Sequence, residues 1–539
     1  AADTAERPSG DPAADIAEAP RRSTDGPRWT TRQRLGGFAV ATAGILVTIT
    51  TIVHAGVALY SDDLGISWQL VELPELTADP LGSVWYLHTQ PPAHNLVVGS
   101  VLRWSPFPPI GTLYVLYLLS LLGIGLLLTD VLARWRLHPV AAGLVSAVAL
   151  ANPNLLSTIN VASYEVPVAL LLMASIWWFQ RQLQHPGLVP LVGLAASLTL
   201  LTMTRSLFHP AFAVAVVVLA AVARRAPWRH VAVALAIPVV VVGGWMVKNQ
   251  VLFGTPTLSS WLGFNMQRGV TAPMARTDVE RDVRTGEVTP LALELPWGEL
   301  DSYGRRVDGC RPEHDHPSVT SETKYVVRDI PIPNFNHECY LPLYEESQEN
   351  ALTLVRRHPG RYLSTRLTVL TGSFTMASIG LDAGLGSSTK RLSERTWMDA
   401  VADRALLPVT REIDMSGWNL PLFGEAPLPF QVSLTLALLA AGVLLRGALA
   451  TVRLARVGWA TRATSWTDGE LLWALVAAAV GLVIIGGDLL EFGENGRFRA
   501  LVDPLLVAVP LAGLCRVVAS LAAGARRGAR PVAAGQPTA

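Results

Sequence analysis

Asp62 and Asp63 stand next to each other in the stretch YSDDLG, directly after a long run of uncharged, mostly apolar residues. A carboxylate at a water boundary can act as a general base, because it takes the proton from a hydroxyl that is too weakly acidic to attack on its own. The alternative is an ordinary solvated helix end. Adjacent side chains point about 100° apart on a helix and to opposite faces on a strand. We therefore expect one carboxylate to face the reacting hydroxyl and the other to orient the loop or a metal ion.

Other polar side chains interrupt the apolar stretches or stand at their ends. An ionisable group at membrane depth costs at least about 2.5 kcal/mol, so by default it marks a site. Cationic side chains can hold a phosphate group and stabilise the charge that it gains when a glycosidic bond breaks. The polar residues that gather in this way are His88, Gln90, Tyr164, Glu165, Arg205, His209, Lys248, Asn249, Glu494, Arg497 and Arg499.

Several of these residues have a structural alternative. Lys248 could be a helix end whose long side chain reaches the interface, and Glu494 with Arg497 could be a simple ion pair. His88 could serve packing or hydrogen bonding rather than metal binding. Arg205 is harder to explain in this way, because a tight turn between two apolar runs gives a lone guanidinium no easy route to bulk water.

The composition places these residues in a membrane protein. The chain has 539 residues, of which 50% are hydrophobic and 16% are charged, and its mean hydropathy is +0.36. Soluble domains usually carry about a quarter charged residues. The 43 Lys and Arg against 42 Asp and Glu leave no basic excess, which excludes the nucleic-acid-binding class. We expect a polytopic α-helical membrane protein with the lipid bilayer as its surroundings.

Transmembrane helices are the elements that must position these side chains. A helix needs about 20 apolar residues to cross a bilayer, and by that rule the sequence predicts about ten spans. They lie at roughly 36–60, 110–129, 138–156, 161–179, 187–203, 207–223, 229–249, 428–448, 470–490 and 500–522.

Positive charges alternate along the loops between these spans. With the N-terminal tail inside, the inner loops hold most of the arginines, and the opposite short loops hold only Arg103, Arg205, Arg497 and Arg499. This is the positive-inside asymmetry, and its phase is kept through all the spans. It predicts cytoplasmic N- and C-termini and places the candidate residues on the outer face of the cytoplasmic membrane.

This topology divides the chain into tails, membrane modules and one large insertion. The insertion, an extracytoplasmic domain of α or mixed structure before the last three spans, contains Cys310 and Cys339. Two cysteines in an exported domain suggest one disulfide, with two free thiols as the alternative. The parts are a disordered cytoplasmic tail 1–34, a transmembrane module 35–249 with its first outer loop at 61–109, the insertion 250–427, a C-terminal transmembrane module 428–523 and a disordered cytoplasmic tail 524–539.

The sequence resembles the GT-C superfamily of polytopic glycosyltransferases, which use polyprenyl-phosphate sugars and include protein mannosyltransferases, aminoarabinose transferases and actinobacterial arabinofuranosyltransferases. Two of the segments that carry the resemblance are the acidic pair in YSDD and WYLHTQPPAHNLVVGSVLRW, which is similar to the H-x-Q-P-P pattern of the first loop. The others are NPNLLSTINVASYEVP, WMVKNQVLFGTPTLSSWLGFN and GENGRFRALVDP. The pair is Asp-Asp rather than the Asp-Glu of the mannosyltransferases, and the absence of a WWDYG-type motif argues against an oligosaccharyltransferase.

The resemblance implies both a fold and a mechanism. It implies a GT-C bundle with short first-loop helices along the membrane, and an inverting transfer from a polyprenyl-phosphate sugar to a cell-envelope glycan, lipid or protein. One first-loop carboxylate would be the base, and analogy with the first member of Asp-Glu pairs favours Asp62. The donor phosphate would be bound by cations at outer span ends, with Arg205 first and then Arg497, Lys248 and Arg499.

Two other functions stay open at this point: a transporter or flippase of lipid-linked sugars, and a non-catalytic envelope assembly protein. Transporters commonly show inverted or parallel repeats, and no repeat is visible between the two halves of this chain. A divalent cation such as Mg²⁺, Mn²⁺ or Ca²⁺ could bridge carboxylates and a phosphate, although no spacing requires one.

Overall fold

The computed structural model describes residues 29–54, 59, 64–65, 67–161, 163–271, 274–327, 330–374, 430–457, 466–490 and 495–528. Three residues that the sequence singles out, Asp62, Asp63 and Glu494, lie outside the described residues. Most of both predicted tails lies outside them as well.

The described residues are mostly helical, and the helices are numbered here in chain order. The first half contains α1 (Thr31–His54), α2 (Leu73–Ala78), α3 (Pro80–Trp85), α4 (Ala93–Trp104), α5 (Pro109–Arg134), α6 (Pro139–Leu150), α7 (Pro153–Ser157), α8 (Glu165–Gln184), α9 (Leu188–Thr204), α10 (Pro210–Ala223) and α11 (Trp228–Phe253). The second half contains α12 (Leu262–Thr271), α13 (Arg276–Arg284), α14 (Pro317–Thr320), β1 (Thr323–Val327), β2 (Ile330–Pro333), α15 (Leu341–Arg357), α16 (Pro359–Gly372), α17 (Phe430–Val457), α18 (Asp468–Gly481), a π-helical turn (Leu482–Gly486), α19 (Gly487–Leu490), α20 (Asn495–Ala500) and α21 (Asp503–Gly528).

The protein is a multi-pass helical membrane protein. By length and composition, 6 stretches of the described chain could cross a membrane: Thr31–Thr51, Pro109–Arg134, Trp228–Phe253, Leu434–Arg456, Asp468–Leu490 and Asp503–Ala522. Helices α6, α9 and α10 are apolar but shorter. Every predicted span overlaps a helix, whereas the count of ten stays a prediction.

Several helix ends differ from the predicted span boundaries, and local chemistry explains one of these differences. The sequence predicts a span over 138–156, but α6 ends at Leu150. The side chain of Asn152 then accepts hydrogen bonds from the backbone N–H of Asn154 (2.8 Å) and of Leu155, which caps the separate helix α7. A proline at the first position of α7 fits only a helix start, because it has no N–H to donate. Near the two ends of the described residues, α1 begins at Thr31 and α21 continues to Gly528.

Helices α1 and α6 approach each other closely through small residues. A Cβ atom added to Gly143 would stand 2.2 Å from the carbonyl oxygen of Gly37, and one added to Gly44 would stand 2.5 Å from the Cβ of Ala147. Membrane helices associate mainly by such packing, because lipid gives no hydrophobic drive between them. This contact fixes the N-terminal half of the first span against α6.

Residues 254–374 form a compact segment with its own aromatic core. Phe264 on α12 packs edge-to-face on Tyr344 of α15, with ring centroids 4.7 Å apart. Strands β1 and β2 pair antiparallel, with Tyr325 opposite Ile332. A disulfide joins Cys310 and Cys339, the two cysteines for which the sequence predicts one.

Buried hydrogen bonds join the first loop to this segment. The Oδ1 atom of Asn336 accepts from the backbone N–H of His88 (3.0 Å) and of Thr89 (3.3 Å), while its Nδ2 donates to the carbonyl of Tyr86 (3.1 Å). The ammonium of Lys324 on β1 donates to the carbonyls of Ser67 and Leu70. We call this contact the loop joint. It fixes residues 67–70, which follow the acidic pair.

Helix α16 is held against α19, the short helix that follows the π-helical turn. The Arg366 guanidinium donates to the carbonyl oxygens of Asp488 (2.7 Å) and Gly269, and the Tyr362 hydroxyl donates to that of Leu489 (2.7 Å). The described part of the apolar stretch 361–380 is therefore packed within the protein.

Candidate functional site

A cavity of about 430 Å³ opens where the first loop, the ends of membrane helices and the segment 254–374 meet. Membrane helices supply apolar side chains to its wall, and the turns between the helices supply polar ones. Of the described residues that the sequence singles out, five line this cavity: Gln90, Tyr164, Arg205, His209 and Arg497.

One buried carboxylate organises the polar end of the cavity. Glu165 is completely buried, and its Oε1 accepts from Arg497 Nε at 2.6 Å and from Arg205 Nη1 at 3.1 Å. The Tyr164 hydroxyl accepts from Arg497 Nη2 at 3.1 Å. A buried charge needs a partner of opposite sign. Here two guanidinium groups contact the same carboxylate.

Arg205 is fixed between two aromatic rings. Helix α9 ends at Thr204, and the guanidinium carbon of Arg205 lies 4.7 Å from the ring centroid of Tyr164 and 4.1 Å from that of Phe498. Cation–π contacts of this kind stabilise the charge without using its N–H groups. Within the described part of the chain, Glu165 is the only hydrogen-bond acceptor of this guanidinium. Its remaining donors are therefore available to an anion in the cavity.

The start of α10 adds to this anion-binding character. His209 precedes the helix, its Nδ1 accepts from the backbone N–H of Ala211 (3.2 Å), and both His209 and Pro210 line the cavity. The N-terminal end of a helix carries partial positive charge, because its first N–H groups have no intrahelical partner. His209 therefore acts here as a helix cap beside the cavity.

Gln69 and Arg268 complete the polar wall, and the sequence did not single out either of them. With its amide oxygen towards Arg497, Gln69 accepts from Nη2 at 2.8 Å and from Nη1 at 3.3 Å. Arg268 lies on α12 and lines the cavity while only 9% exposed. A glutamine in a polar loop gives no sequence signal, whereas the helical spacing of Arg268 from Trp261 could have indicated a shared face.

Lys248 and Asn249 belong to the frame around the cavity. Lys248 Nζ donates to the carbonyl oxygens of Trp85 (2.9 Å) and Leu87 (2.8 Å), and it lies 3.8 Å from the ring centroid of Trp245. Asn249 is buried and donates to the carbonyl of Thr257 at 2.6 Å. Neither is among the described residues of the cavity wall. The geometry therefore favours a positioning role over the phosphate contact that the resemblance implies for Lys248.

Arg499 is likewise engaged inside the protein. Its Nε donates to Asp503 Oδ1 at 2.9 Å and its Nη1 donates to the carbonyl of Ser373 at 2.7 Å. Asn154 Nδ2 donates to the other oxygen of Asp503 at 2.9 Å. Arg499 is 1% exposed and is not among the described residues of the cavity wall. These contacts favour a structural role for Arg499 rather than phosphate binding.

His88 is a structural residue of the loop joint. Its Nε2 donates to the carbonyl of Asn336 at 2.9 Å, so its Nδ1 accepts from the Ser260 hydroxyl at 2.7 Å. Burial lowers the pKa of His88 to about 3, which keeps the imidazole neutral. With both ring nitrogens engaged, His88 acts through hydrogen bonds, the alternative to metal binding that its sequence context left open.

The loop joint is expected to become more stable as pH rises, in two separate windows. Burial lowers the pKa of His88 from 6.5 to about 3 and that of Lys324 from 10.5 to about 7. The unfolded chain therefore binds more protons than the folded one between pH 3 and 6.5 and again between 7 and 10.5. Each group then adds at most about 1.4 kcal/mol of stability per pH unit. Melting temperatures in nanodiscs should rise across both windows, and Lys324→Met should flatten the upper one; a wild-type melting temperature that falls from pH 7 to 9 would contradict this.

Gly487 allows Phe498 to reach Arg205, and this gives a second prediction. A Cβ atom at Gly487 would stand 2.8 Å from Phe498 Cδ2, so Gly487→Ala should displace the ring that stacks on the guanidinium. We expect affinity for a short prenyl phosphate to fall about tenfold. Loss of a cation–π contact costs about 1 kcal/mol, and overpacking costs about 1 kcal/mol or more. Gly513→Ala is the matched control, since nothing lies within 4 Å of its added Cβ. Equal affinities of the two variants would show that the stacked ring is irrelevant to binding.

No group of three or more His, Cys, Asp or Glu residues that could hold a metal ion occurs among the described residues. The acidic pair lies outside them, so the divalent cation stays a prediction for that segment. Comparison of the chain with protein-family models, curated proteins and solved structures finds no match. The function proposed below therefore rests on the geometry of the cavity and on the GT-C resemblance.

Proposed function

We propose that the protein is an inverting glycosyltransferase, which moves a sugar from a polyprenyl-phosphate donor to a hydroxyl of a cell-envelope glycan, lipid or protein. The observation that carries this proposal is the pair of guanidinium groups of Arg205 and Arg497 on the single buried carboxylate of Glu165. Both guanidinium groups line a cavity at the membrane helices, where they can bind a phosphate diester. Apolar residues of the same wall, such as Leu482 and Leu490, suit the prenyl chain next to that phosphate.

In the proposed reaction, different residues act on the leaving group and on the attacking group. The acceptor oxygen attacks the anomeric carbon, and the bond to the phosphate oxygen breaks with its electron pair going to the phosphate. The phosphate changes from a monoanionic diester to a dianionic monoester, and Arg205, Arg497 and the start of α10 stabilise the added charge. The weakly basic phosphate leaves without a general acid. The acceptor proton passes to Asp62, with Asp63 orienting the loop.

The topology that accompanies this proposal has ten spans. These spans are the six long helices together with α6, α8, α9 and α10. The termini lie in the cytoplasm, and residues 250–427 lie outside the cytoplasmic membrane as an inserted domain. The positive-inside pattern supports this orientation. Arg103 and Trp228 are both exposed, so each can be replaced by cysteine. In intact cells, a membrane-impermeant thiol reagent should label the cysteine at position 103 and not the one at position 228.

A transfer assay on the purified protein tests the function. It combines a panel of polyprenyl-phosphate sugars with envelope acceptors and detects the product by mass spectrometry. Transfer from one donor, with the anomeric configuration inverted, supports the proposal. A parallel assay in liposomes without acceptor measures movement of the lipid-linked sugar across the bilayer. Movement without any transfer would contradict the proposal and favour a flippase.

A further inference from the structure

Three tryptophans meet at the wall of the cavity. Trp68 comes from the first loop, whereas Trp261 and Trp297 come from the segment 254–374. The ring centroids of Trp68 and Trp297 are 5.4 Å apart, and those of Trp261 and Trp297 are 5.0 Å apart. Trp297 also packs edge-to-face on Phe264 and on Phe335. The wall is therefore rigid before any ligand enters.

Trp297 is held in a conformation that does not favour stability. Its φ is 74°, in the left-handed region that bulky residues rarely adopt. Its Nε1 is buried and has no acceptor among the described residues. Strained backbone and unsatisfied buried donors collect at functional sites, where position matters more than stability. Because Trp297 combines both features and lines the cavity, its position there points to a ligand.

Helix α12 presents a polar stripe beside these rings. Trp261 precedes the helix, and Asn265 and Arg268 follow it at spacings of four and seven residues, so the three share one face. All three line the cavity. The opposite face points into the segment's core, where Gln267 Nε2 donates to the carbonyl of Leu291 at 2.8 Å. The stripe thus offers the cavity an indole, a carboxamide and a guanidinium.

Gln69 connects this wall to the phosphate end. It follows Trp68 in the chain, and its amide oxygen accepts from the Arg497 guanidinium. Arg497 in turn donates to Glu165, which also pairs with Arg205. A ligand whose phosphate contacts the arginines therefore has its next chemical group beside the indoles.

We propose that Trp68, Trp261 and Trp297 form a sugar-ring subsite, at which the C–H face of a pyranose or furanose stacks on indole while Asn265 and Gln90 hydrogen-bond its hydroxyls. A hydrocarbon chain would leave these carboxamides without partners, whereas a sugar ring has both an apolar face and hydroxyl groups. The source of the ring rests on the proposed function: it is either the sugar of the lipid donor or the terminal residue of the acceptor.

Binding of small probes to the purified full-length protein in nanodiscs tests the subsite. Methyl glycosides of hexopyranoses and pentofuranoses report on the ring by saturation-transfer NMR, and dimethyl phosphate reports on the arginines by calorimetry. Trp297→Gly removes the ring while accepting the positive φ, and we expect it to weaken glycoside binding at least about tenfold, the effect of losing about 1.4 kcal/mol. Asn265→Ala should weaken it as well. Both variants should bind dimethyl phosphate like the wild type.

The control is Trp228→Leu, because Trp228 is 78% exposed at the start of α11 and does not line the cavity. Wild-type glycoside affinity in Trp297→Gly would overturn the subsite, as would no glycoside binding by the wild type while dimethyl phosphate still binds. Failure of the wild-type protein to bind dimethyl phosphate would instead contradict the proposed function. Pre-loading with a short prenyl-phosphate sugar identifies the source: competition with the glycoside indicates the donor ring, and simultaneous binding indicates the acceptor ring.

Discussion

Replacing Asp62 by Asn is expected to lower the rate of sugar transfer about 10²–10⁴-fold while the lipid donor still binds. Asparagine keeps the size and polarity of the side chain but cannot take the proton of the acceptor hydroxyl. Donor binding should persist, because we propose that Arg205 and Arg497, rather than the first-loop carboxylates, contact the phosphate. Single-turnover transfer and equilibrium binding of the donor, measured on the same preparation, separate the two effects.

Two further variants make this test specific. Asp63→Asn should have the smaller effect if Asp62 is the base, and the reverse order would assign the base to Asp63. Asp79→Asn is the matched control in the same loop, because the Asp79 side chain caps α3 by accepting from Gly82 N at 2.9 Å and Asn is an equally good cap. Normal transfer by both the Asp62 and the Asp63 variants would refute the proposed mechanism.

Arg205→Gln should reduce kcat/KM for the lipid donor about 10²–10³-fold, the usual effect of removing one donor that stabilises a developing oxyanion. The expected loss falls partly on donor binding, since in the proposed mechanism the guanidinium contacts the phosphate before and during the reaction. Arg205→Lys should recover only part of the loss, because lysine restores the charge without the planar fork of donors. Steady-state kinetics over a range of donor concentrations measures both parameters.

The exposed Arg103 supplies the control for loss of a positive charge near the first loop. Arg103→Gln should leave kcat/KM within about twofold, as expected for an exposed charge. Glu165→Gln should behave differently from Arg205→Gln, because it removes the buried carboxylate that both guanidinium groups contact, and the loss of one partner of a buried ion pair destabilises a fold by about 3–5 kcal/mol. Equal activity of Arg205→Gln and Arg103→Gln would remove Arg205 from the proposed site.

The sequence predicts which residues belong to the site better than it predicts which groups they contact. Glu165, Arg205 and Arg497 were singled out one by one, because each charge is costly at membrane depth. Their sharing of one carboxylate could not be predicted, since these contacts span 40 and 332 positions. Lys248 and Arg499 carry the same sequence signal, yet both contact backbone carbonyls within the protein. Composition identifies a buried cation but does not say whether a ligand or the backbone satisfies it.

The sequence also predicts the helices of the membrane fold better than it predicts where they end. Long apolar runs indicate helices because a chain in lipid must satisfy its own backbone groups. The ends of those helices depend on local contacts such as the Asn152 cap, which divides one predicted span. Trp297 shows a different limit: Pro296 and Gly298 beside it indicate a turn, but they do not indicate which rings, distant in the chain, it will contact.

The sharing of Glu165 also bears on when the site comes into existence during synthesis. The pair with Arg205 can form once the turn between α9 and α10 has been made, but Arg497 and Phe498 belong to α20, near the end of the chain. Until then, only one of the two guanidinium groups that contact Glu165 has been made. The phosphate contacts proposed for Arg205 and Arg497 therefore become complete only after the ribosome has made α20, late in synthesis.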